Sequence, residues 1–274
     1  MTERMDARRA DELAARIAQG PRTWLILDYD GTLAEFAPTP DTILPDDELI
    51  EIIRRLARHS GILRVMILSG RRFQHIQTLL PVPGILLAGT YGLEYQSIGG
   101  EKDTLFDLAE ERPTLERVKL LWSELIAGRD DFYLEDKGYT LALHGSKAGD
   151  ADARDVLEQA NLLAAFVSER KALRVLGGYK FLEIAPAIAD KGRSLATFLE
   201  RFPWPGATVI YIGDDDKDEK AFSVVREREG VSIVVAAEPR PSLALLRLLN
   251  PGEVRRWLIS LANRLEAQRT GAGR

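Results

Sequence analysis

Trp24-Leu25-Ile26-Leu27-Asp28-Tyr29-Asp30-Gly31-Thr32 is the most informative stretch of the chain. Its first four residues are all apolar, which is typical of a β-strand that is covered on both faces of a parallel sheet. Two aspartates follow this strand directly. Because ligands of α/β proteins bind outside the carboxyl ends of the strands, the stretch predicts both an α/β domain and the beginning of its functional site.

Apolar strands and helices alternate on both sides of this stretch. Further strands are predicted at residues 63–68, 85–88, 208–212 and 231–235, and helices near 46–59, 74–80 and 191–201. This alternation favours an α/β fold with a doubly wound parallel sheet. Residues 1–20 carry apolar side chains at helical spacing and predict an amphipathic lead-in helix, and helices are expected again after residue 235.

The middle of the chain has a different pattern. A helix that begins at Pro113 is followed by a hairpin around Asp136-Lys137-Gly138, a helix near 151–168 and a second hairpin around Gly177-Gly178. Such an order is typical of an α+β unit with an antiparallel sheet. We therefore expect a parallel-sheet core formed by residues 1–107 and 186–274, with an α+β domain inserted at 108–185.

Composition excludes several classes of protein. The 274 residues include 37 lysines and arginines, 42 aspartates and glutamates, and no cysteine. Disulfides, thiolate metal sites and thiol nucleophiles are therefore excluded. Without a basic block we expect no nucleic-acid partner, and the apolar runs are too short for a membrane span. We expect a cytoplasmic protein, and nothing in the pattern demands more than a monomer.

Chemically active side chains stand at the ends of several predicted strands. In a parallel sheet these ends meet at one crevice. The side chains are Asp28, Asp30, Ser69, Asp214 and Asp215, and Lys191 at a helix start can join them. Carboxylates, a hydroxyl and a cation together are the groups that phosphoryl transfer needs.

The spacing of Asp28 and Asp30 allows the two carboxyl groups to take different roles in one reaction. If the strand geometry continues, both side chains point to the same side, so one can attack phosphorus while the other protonates the leaving oxygen. A cluster of carboxylates repels a dianionic phosphoester unless a divalent cation and Lys191 offset the charge. Because the ligands on offer are oxygens, the cluster predicts Mg²⁺ rather than Zn²⁺.

The order of the motifs resembles the haloacid dehalogenase superfamily of phosphatases. Asp-x-Asp-Gly-Thr-Leu stands at 28–33, Ser-Gly-Arg at 69–71, Lys-Gly at 191–192 and Gly-Asp-Asp-x-x-Asp at 213–218. The resemblance implies that Asp28 is the nucleophile, forming an aspartyl-phosphate, and that Asp30 is the general acid and base. It implies phosphate binding by Ser69, Gly70 and Lys191. It also implies Mg²⁺ ligands at Asp28, Asp214 and the Asp30 carbonyl, with Asp215 and Asp218 as further acids around the metal.

From Trp24 to about Leu258 the sequence also resembles a narrower group, the trehalose-6-phosphate phosphatase family. This likeness rests on residues 27–33, 88–94, 134–138, 141–144, 182–184 and 211–215. The likeness implies hydrolysis of trehalose 6-phosphate to trehalose and phosphate, with residues 108–185 as a cap that selects the substrate. The substrate-binding residues that it implies are Arg71, Glu135, Lys137, His144 and Glu183.

Five positions depart from the family pattern. Tyr91 replaces a usual histidine, Lys217 a usual threonine, Gly145-Ser146 an aromatic-arginine pair, and Ala185 a basic residue. We expect none of them to touch the phosphoryl-transfer residues. The departures at 145, 146 and 185 lie in the predicted cap, so they bear on which sugar is recognised.

Other functions remain open from the sequence. The substrate can be another glycosyl phosphate, such as glucosylglycerol phosphate or glucosyl phosphoglycerate. A regulatory phosphoacceptor module also uses acids at strand ends, a hydroxyl and a lysine, but it has no need of an acid two residues after the nucleophile, so Asp30 favours the hydrolase. A catalytically silent carbohydrate-binding protein would have lost at least one of four residues that are all present here, namely Asp28, Asp30, Lys191 and Asp214.

Overall fold

The computed structural model describes residues 2–36, 43–167 and 173–271. The chain divides into two compact units, which we call the core unit (Met1–Leu105 and Asp190–Arg274) and the insert unit (Phe106–Ala189). The insert unit falls in the region where the sequence predicts an α+β domain. Its role as a substrate-selecting cap stays a prediction.

Thirteen strands and eight α-helices are formed within the described residues. The strands are β1 (Glu3–Arg4), β2 (Thr23–Leu27), β3 (Leu63–Leu68), β4 (Leu86–Gly89), β5 (Glu94–Gln96), β6 (Lys102–Thr104), β7 (Tyr133–Asp136), β8 (Leu141–His144), β9 (Leu173–Gly178), β10 (Phe181–Pro186), β11 (Thr208–Gly213), β12 (Val231–Val235) and β13 (Leu246–Leu248). The helices are α1 (Ala7–Gln19), α2 (Asp47–Ala57), α3 (Phe73–Leu79), α4 (Arg112–Leu125), α5 (Asp150–Val167), α6 (Lys191–Arg201), α7 (Glu219–Glu227) and α8 (Pro251–Gly271).

The core unit is built on a nine-stranded sheet in the order β1-β13-β12-β11-β2-β3-β4-β5-β6. The strands from β1 to β4 in this order pair in parallel, whereas β5 pairs antiparallel with both β4 and β6. Leu25 and Leu27 of β2 belong to the apolar cluster that also takes in α1, α2 and α8. Trp24 and Ile26 point to the opposite face and are equally buried. Burial of both faces explains why apolar and polar residues do not alternate along β2. The predicted parallel sheet of the core is confirmed.

Several short elements differ from the expectation. Residues 236–250 form no α-helix and instead contain β13, which pairs in parallel with β1. Both strands are only two or three residues long, so they leave no periodic signal. In the second hairpin, Gly177 and Gly178 belong to β9, and the turn is formed by Tyr179 and Lys180, the latter with a φ of 52°.

The insert unit has a four-stranded antiparallel sheet in the order β7-β8-β10-β9. Leu141, Leu143 and Ile184 point to one face and pack with residues of α4 and α5 in an apolar core. Trp122 of α4 is fully buried there and donates its indole N–H to the carbonyl of Ala160, at 2.8 Å. Alternation along the strands therefore places the polar residues of this sheet on its other face.

No described helix is both long enough and apolar enough to cross a lipid bilayer. The cytoplasmic location and the monomeric state stay predictions.

Candidate active site

Asp28 lies buried directly after β2. Its backbone N–H donates to the carbonyl of Ile212, at 2.9 Å, and so continues the pairing of β2 with β11. Its carboxylate lies 2.8 Å from Nζ of Lys191, the first residue of α6. Asp190 caps this helix by accepting hydrogen bonds from two backbone N–H groups, which fixes the start of the helix and the origin of the lysine side chain.

Asp218 organises the loop after β11. Its Oδ1 accepts from Nζ of Lys191 at 2.7 Å and from the hydroxyl of Tyr211 at 2.6 Å. Its Oδ2 accepts from the backbone N–H groups of Asp214 and Asp215, at 3.1 and 3.0 Å. With both oxygens engaged by two donors each, this carboxylate positions the loop rather than offering itself to a ligand.

Asp214 completes the acidic group at this edge of the sheet. Single carboxylate oxygens of Asp28, Asp214 and Asp218 all lie within 4.8 Å of one another. Gly31 has a φ of +71°, and a Cβ at this position would lie 2.1 Å from Oδ2 of Asp214. Only glycine therefore allows the loop after β2 to approach the Asp214 carboxylate this closely.

The electrostatics of this group favour a cation. Burial raises the pKa of Asp28 well above its usual value, and the neighbouring Asp218 and Asp214 raise it further against the opposing effect of Lys191. Burial and the carboxylate of Asp218 raise the pKa of Asp214 to about 7. Burial lowers the pKa of Lys191, but the carboxylates of Asp218 and Asp28 more than offset this and raise it. Since the one ammonium among these three acids contacts only Asp28 and Asp218, a positive charge is still needed beside Asp214, and Asp28 and Asp214 fit a hard divalent metal ion.

Asp30 is joined to Arg71 rather than to the acidic group. The guanidinium donates from Nε to Oδ2 at 2.7 Å and from Nη2 to Oδ1 at 2.6 Å, as a two-pronged ion pair. The backbone N–H of Arg71 donates to Oγ of Ser69, at 3.1 Å. The family resemblance assigns Asp30 to acid-base chemistry, Arg71 to substrate binding and Ser69 to phosphate binding, and the structure brings the three residues into one network.

One residue that departs from the family pattern, Tyr91, contacts the site. The expectation that none of the departures touches the phosphoryl-transfer residues is wrong for Tyr91, because its ring packs on Gly70. A Cβ at Gly70 would lie 3.0 Å from Cε1 of Tyr91. The ammonium of Lys217, a second departure, lies 5.6 Å from the centroid of the same ring. These contacts join residues of separate loops, so the sequence carries no local signal for them.

The predicted sugar-binding residues of the insert unit contact one another in two pairs. Glu183 is fully buried and accepts from Nζ of Lys137 at 3.2 Å and from the hydroxyl of Thr140 at 2.7 Å. His144 Nε2 lies 3.1 Å from Oε2 of Glu135. Glu135 and Glu183 both pair with the same residue of β8 across the sheet, so the two carboxylates lie on one face.

Sequence reasoning missed three residues of this face. Thr140 donates to Glu183, and the rings of Tyr133 and Phe181 flank that of His144, with centroids 5.8 and 5.2 Å away. Tyr133 lies two residues before Glu135, and Phe181 two before Glu183. Because side chains two residues apart on a strand point to the same face, the positions of Glu135 and Glu183 could have predicted that both aromatic rings lie on this face.

Two of the three remaining departures, at 145 and 185, lie in closely packed parts of the insert unit. A Cβ at Gly145 would lie 2.9 Å from the ring of Phe132, so this ring occupies the space that a larger side chain would need. Ala185 is fully buried in β10 and lies opposite Arg174 of β9. The changes at 145 and 185 therefore belong to the packing of this unit.

We expect Asp218→Ala to destabilise the core unit. The change leaves the buried hydroxyl of Tyr211 and two backbone N–H groups without their acceptor, and it removes one partner of Lys191. The expected loss in the free energy of unfolding is about 3 kcal/mol, measured by urea denaturation. Asp216→Ala is the matched control, because the Asp216 side chain is 89% exposed. Equal stability of the two variants would contradict the positioning role.

Comparisons with known proteins point to a single family. The family model described as trehalose-phosphatase matches residues 26–251. A probable trehalose-phosphate phosphatase of Arabidopsis thaliana is 29% identical over 260 residues, covering 90% of this chain and 69% of that protein. A trehalose 6-phosphate phosphatase of Zea mays is 29% identical over 268 residues, covering 92% of this chain and 73% of that protein.

A solved structure shows the same fold. The C-terminal domain of a trehalose-6-phosphate phosphatase from C. albicans superposes with a TM-score of 0.79 at 20% identity, covering 96% of this chain and 98% of that one. The family match extends over most of the sequence, from the middle of β2 to the start of α8. The resemblance predicted from the motifs is confirmed, and the chain belongs to the trehalose-phosphatase family.

Proposed function

We propose that this protein hydrolyses trehalose 6-phosphate to trehalose and phosphate, with Asp28 as the nucleophile. The observation that carries the proposal is the buried contact between Asp28 and Lys191, with the Asp214 carboxylate beside it. A buried carboxylate next to a cation is suited to attack on phosphorus, since the cation offsets the charge of the phosphoryl oxygens.

The reaction proceeds in two steps. A carboxylate oxygen of Asp28 forms a bond to phosphorus while the bond between phosphorus and the sugar oxygen breaks, and Asp30 supplies the proton that this oxygen needs. Asp30 then takes a proton from a water molecule, whose oxygen forms a bond to phosphorus while the bond between phosphorus and the Asp28 oxygen breaks. This step releases phosphate and restores the Asp28 carboxylate. Lys191 and the hydroxyl of Ser69 bind phosphoryl oxygens throughout.

The ion pair between Asp30 and Arg71 constrains the first step. The guanidinium donates one hydrogen bond to each carboxylate oxygen, which leaves a second acceptor site on each oxygen. The pair therefore holds the Asp30 carboxyl in one orientation, and the sugar oxygen must approach it from the side that the guanidinium leaves open.

The family implies a divalent metal ion, and we propose that it is Mg²⁺. The carboxylates of Asp28 and Asp214 and the backbone carbonyl of Asp30 would hold it. When bound, the ion offsets the charge that separates a carboxylate nucleophile from a phosphate dianion. The support for this proposal is an oxygen-only set of ligands in which burial and repulsion have raised both carboxyl pKa values.

Asp214→Asn is expected to separate metal binding from folding. In the wild-type protein, Mg²⁺ should raise the melting temperature, because it binds only the folded state. The variant should lose this rise while remaining at least as stable as the wild-type protein without metal, since one buried like charge is gone. Asp216→Asn serves as the control. A rise of wild-type size in Asp214→Asn would exclude Asp214 as a ligand.

The polar face of the insert unit is proposed to bind the sugar. Lys137→Met should lower kcat/KM for trehalose 6-phosphate about 10- to 100-fold and change kcat/KM for an aryl phosphate less than about 3-fold, because the proposal places this ammonium on the sugar and not on the phosphate. Lys119→Met, in the same unit, is the control. Equal losses on both substrates would mean that Lys137 does not select the sugar.

The decisive assay is phosphate release, with and without Mg²⁺, from a panel of substrates. The panel contains trehalose 6-phosphate, glucose 6-phosphate, glucosylglycerol phosphate, glucosyl phosphoglycerate and an aryl phosphate. A strong preference for trehalose 6-phosphate supports the proposal. A preference for another glycosyl phosphate would assign a different sugar to the same chemistry, and a stable phosphoprotein without turnover would favour the phosphoacceptor function.

A further inference from the structure

Tyr91 connects two loops of the core unit. One is the loop 69–71, which follows β3, and its middle residue Gly70 lies beside one edge of the Tyr91 ring. The hydroxyl oxygen of Tyr91 would be 3.4 Å from a Cβ at Gly70, so the tip of the side chain also reaches this loop. The other loop follows β11, and its Lys217 places an ammonium 5.6 Å from the ring centroid.

The backbone that carries Tyr91 is held in an unusual conformation. Thr90 and Tyr91 have φ values of 50° and 60°, in the left-handed region that residues other than glycine rarely adopt. In this conformation the N–H of Thr90 donates to the carbonyl of Arg71 at 2.6 Å, and that of Tyr91 to the carbonyl of Ser69 at 2.9 Å. Strain of this kind persists where the surrounding contacts define a functional geometry.

Lys217 lies where negative charge is in excess. Its Nζ is 3.7 Å from Oδ2 of Asp215, and its side chain is 34% exposed. Lys191 already serves two carboxylates and Arg71 is paired with Asp30. An ammonium has three donors, so Lys217 can contact a second anion while it stays beside Asp215.

We propose that Lys217 is a second phosphate-binding cation and that Tyr91 is the positioning residue that holds it near the loop 69–71. This inference rests on the proposed function, because it assigns the cation to the phosphate group of the same substrate. A charge that contacts phosphate equally before and during the reaction strengthens binding without changing the chemical step. The role is therefore one of substrate affinity.

The test combines phosphate binding with steady-state kinetics. Inorganic phosphate is titrated into the protein by calorimetry in the presence of Mg²⁺, and kcat and KM are measured with an aryl phosphate. Lys217→Met should weaken phosphate binding and raise KM about 5- to 20-fold, with kcat within about 2-fold of the wild-type value. Lys217→Arg should restore both, and both effects should shrink in high salt.

Tyr91 is tested by changing the ring. Tyr91→Phe keeps the ring and should retain phosphate affinity, whereas Tyr91→Leu should reproduce the effect of Lys217→Met. Adding Lys217→Met to Tyr91→Leu should then have little further effect, because the two residues act as a unit. Lys102→Met is the matched control, since this ammonium also lies 5.6 Å from a ring, that of Phe73, but on strand β6.

Several outcomes would overturn the inference. The inference is wrong if the Lys217→Met variant has the phosphate affinity and the KM of the wild-type protein. It is also wrong if the variant changes only kcat. A failure of Lys217→Arg to restore binding would show that charge is not the property that matters. If the wild-type protein hydrolyses no phosphomonoester, the proposed function fails, but the phosphate titration still decides whether Lys217 binds the anion.

Discussion

Asp28→Asn abolishes phosphomonoester turnover, with an expected loss of at least about 10⁴-fold in kcat. The amide has the shape of the carboxylate but is not a nucleophile. The variant should fold, because Lys191 keeps its contact with Asp218 at 2.7 Å. Its melting temperature without metal should equal or exceed that of the wild-type protein, since a buried carboxylate with a raised pKa is removed from beside Asp214 and Asp218.

The measurement is phosphate release under saturating substrate, together with a thermal melt of the same sample. Asp216→Asn is the matched control, because Asp216 lies in the loop after β11 but is exposed and paired with Arg240. This control should retain wild-type kcat. If Asp28→Asn keeps more than about one hundredth of the wild-type rate while the control is normal, Asp28 is not the nucleophile.

Asp30→Asn is the second large effect, with an expected loss of about 10²- to 10⁴-fold on a sugar phosphate. The sugar oxygen is a poor leaving group and needs the proton. An aryl phosphate leaves without one, so its first step should survive and the variant should accumulate the aspartyl-phosphate, seen as a burst of phenol followed by slow turnover. The two-pronged ion pair with Arg71 is lost as well, since an amide offers only one acceptor oxygen.

Asp103→Asn controls for the general effect of an aspartate-to-asparagine change, because Asp103 lies on β6 and is paired with Arg201. Loss of equal size on the sugar phosphate and the aryl phosphate, with no burst, would mean that Asp30 acts in binding. Full activity of Asp30→Asn on the sugar phosphate would remove it from the reaction altogether.

The local sequence pattern was sufficient to predict the fold of the core unit and the residue types of the site. The unbroken apolar run of β2 is buried on both faces, and the acids that follow it stand at the carboxyl end of a parallel strand. Each of these signals lies within a few consecutive residues, where backbone geometry fixes which side chains share a face or an end. The short strands β1, β5, β6 and β13 carry no such signal.

The family likeness named the site residues but not their contacts. Asp218 was expected near the metal, and the structure shows its carboxylate occupied by Lys191, Tyr211 and two backbone N–H groups. The likeness implied that Arg71 binds substrate, and the structure shows its guanidinium paired with Asp30. A list of residue types does not distinguish a group that binds substrate from one that holds another residue in place.

What the sequence determined by itself is therefore the fold class, the edge of the sheet that carries the site and the residue types present there. The tertiary structure alone decided the partner of each charged group: Asp28 lies against Lys191, Asp30 against Arg71, and Lys217 against the ring of Tyr91. Each pair joins residues that are far apart in the sequence. Their formation depends on strand register, side-chain rotamers and the burial of each charge, and these are set by packing of the whole core unit rather than by any local run of residues.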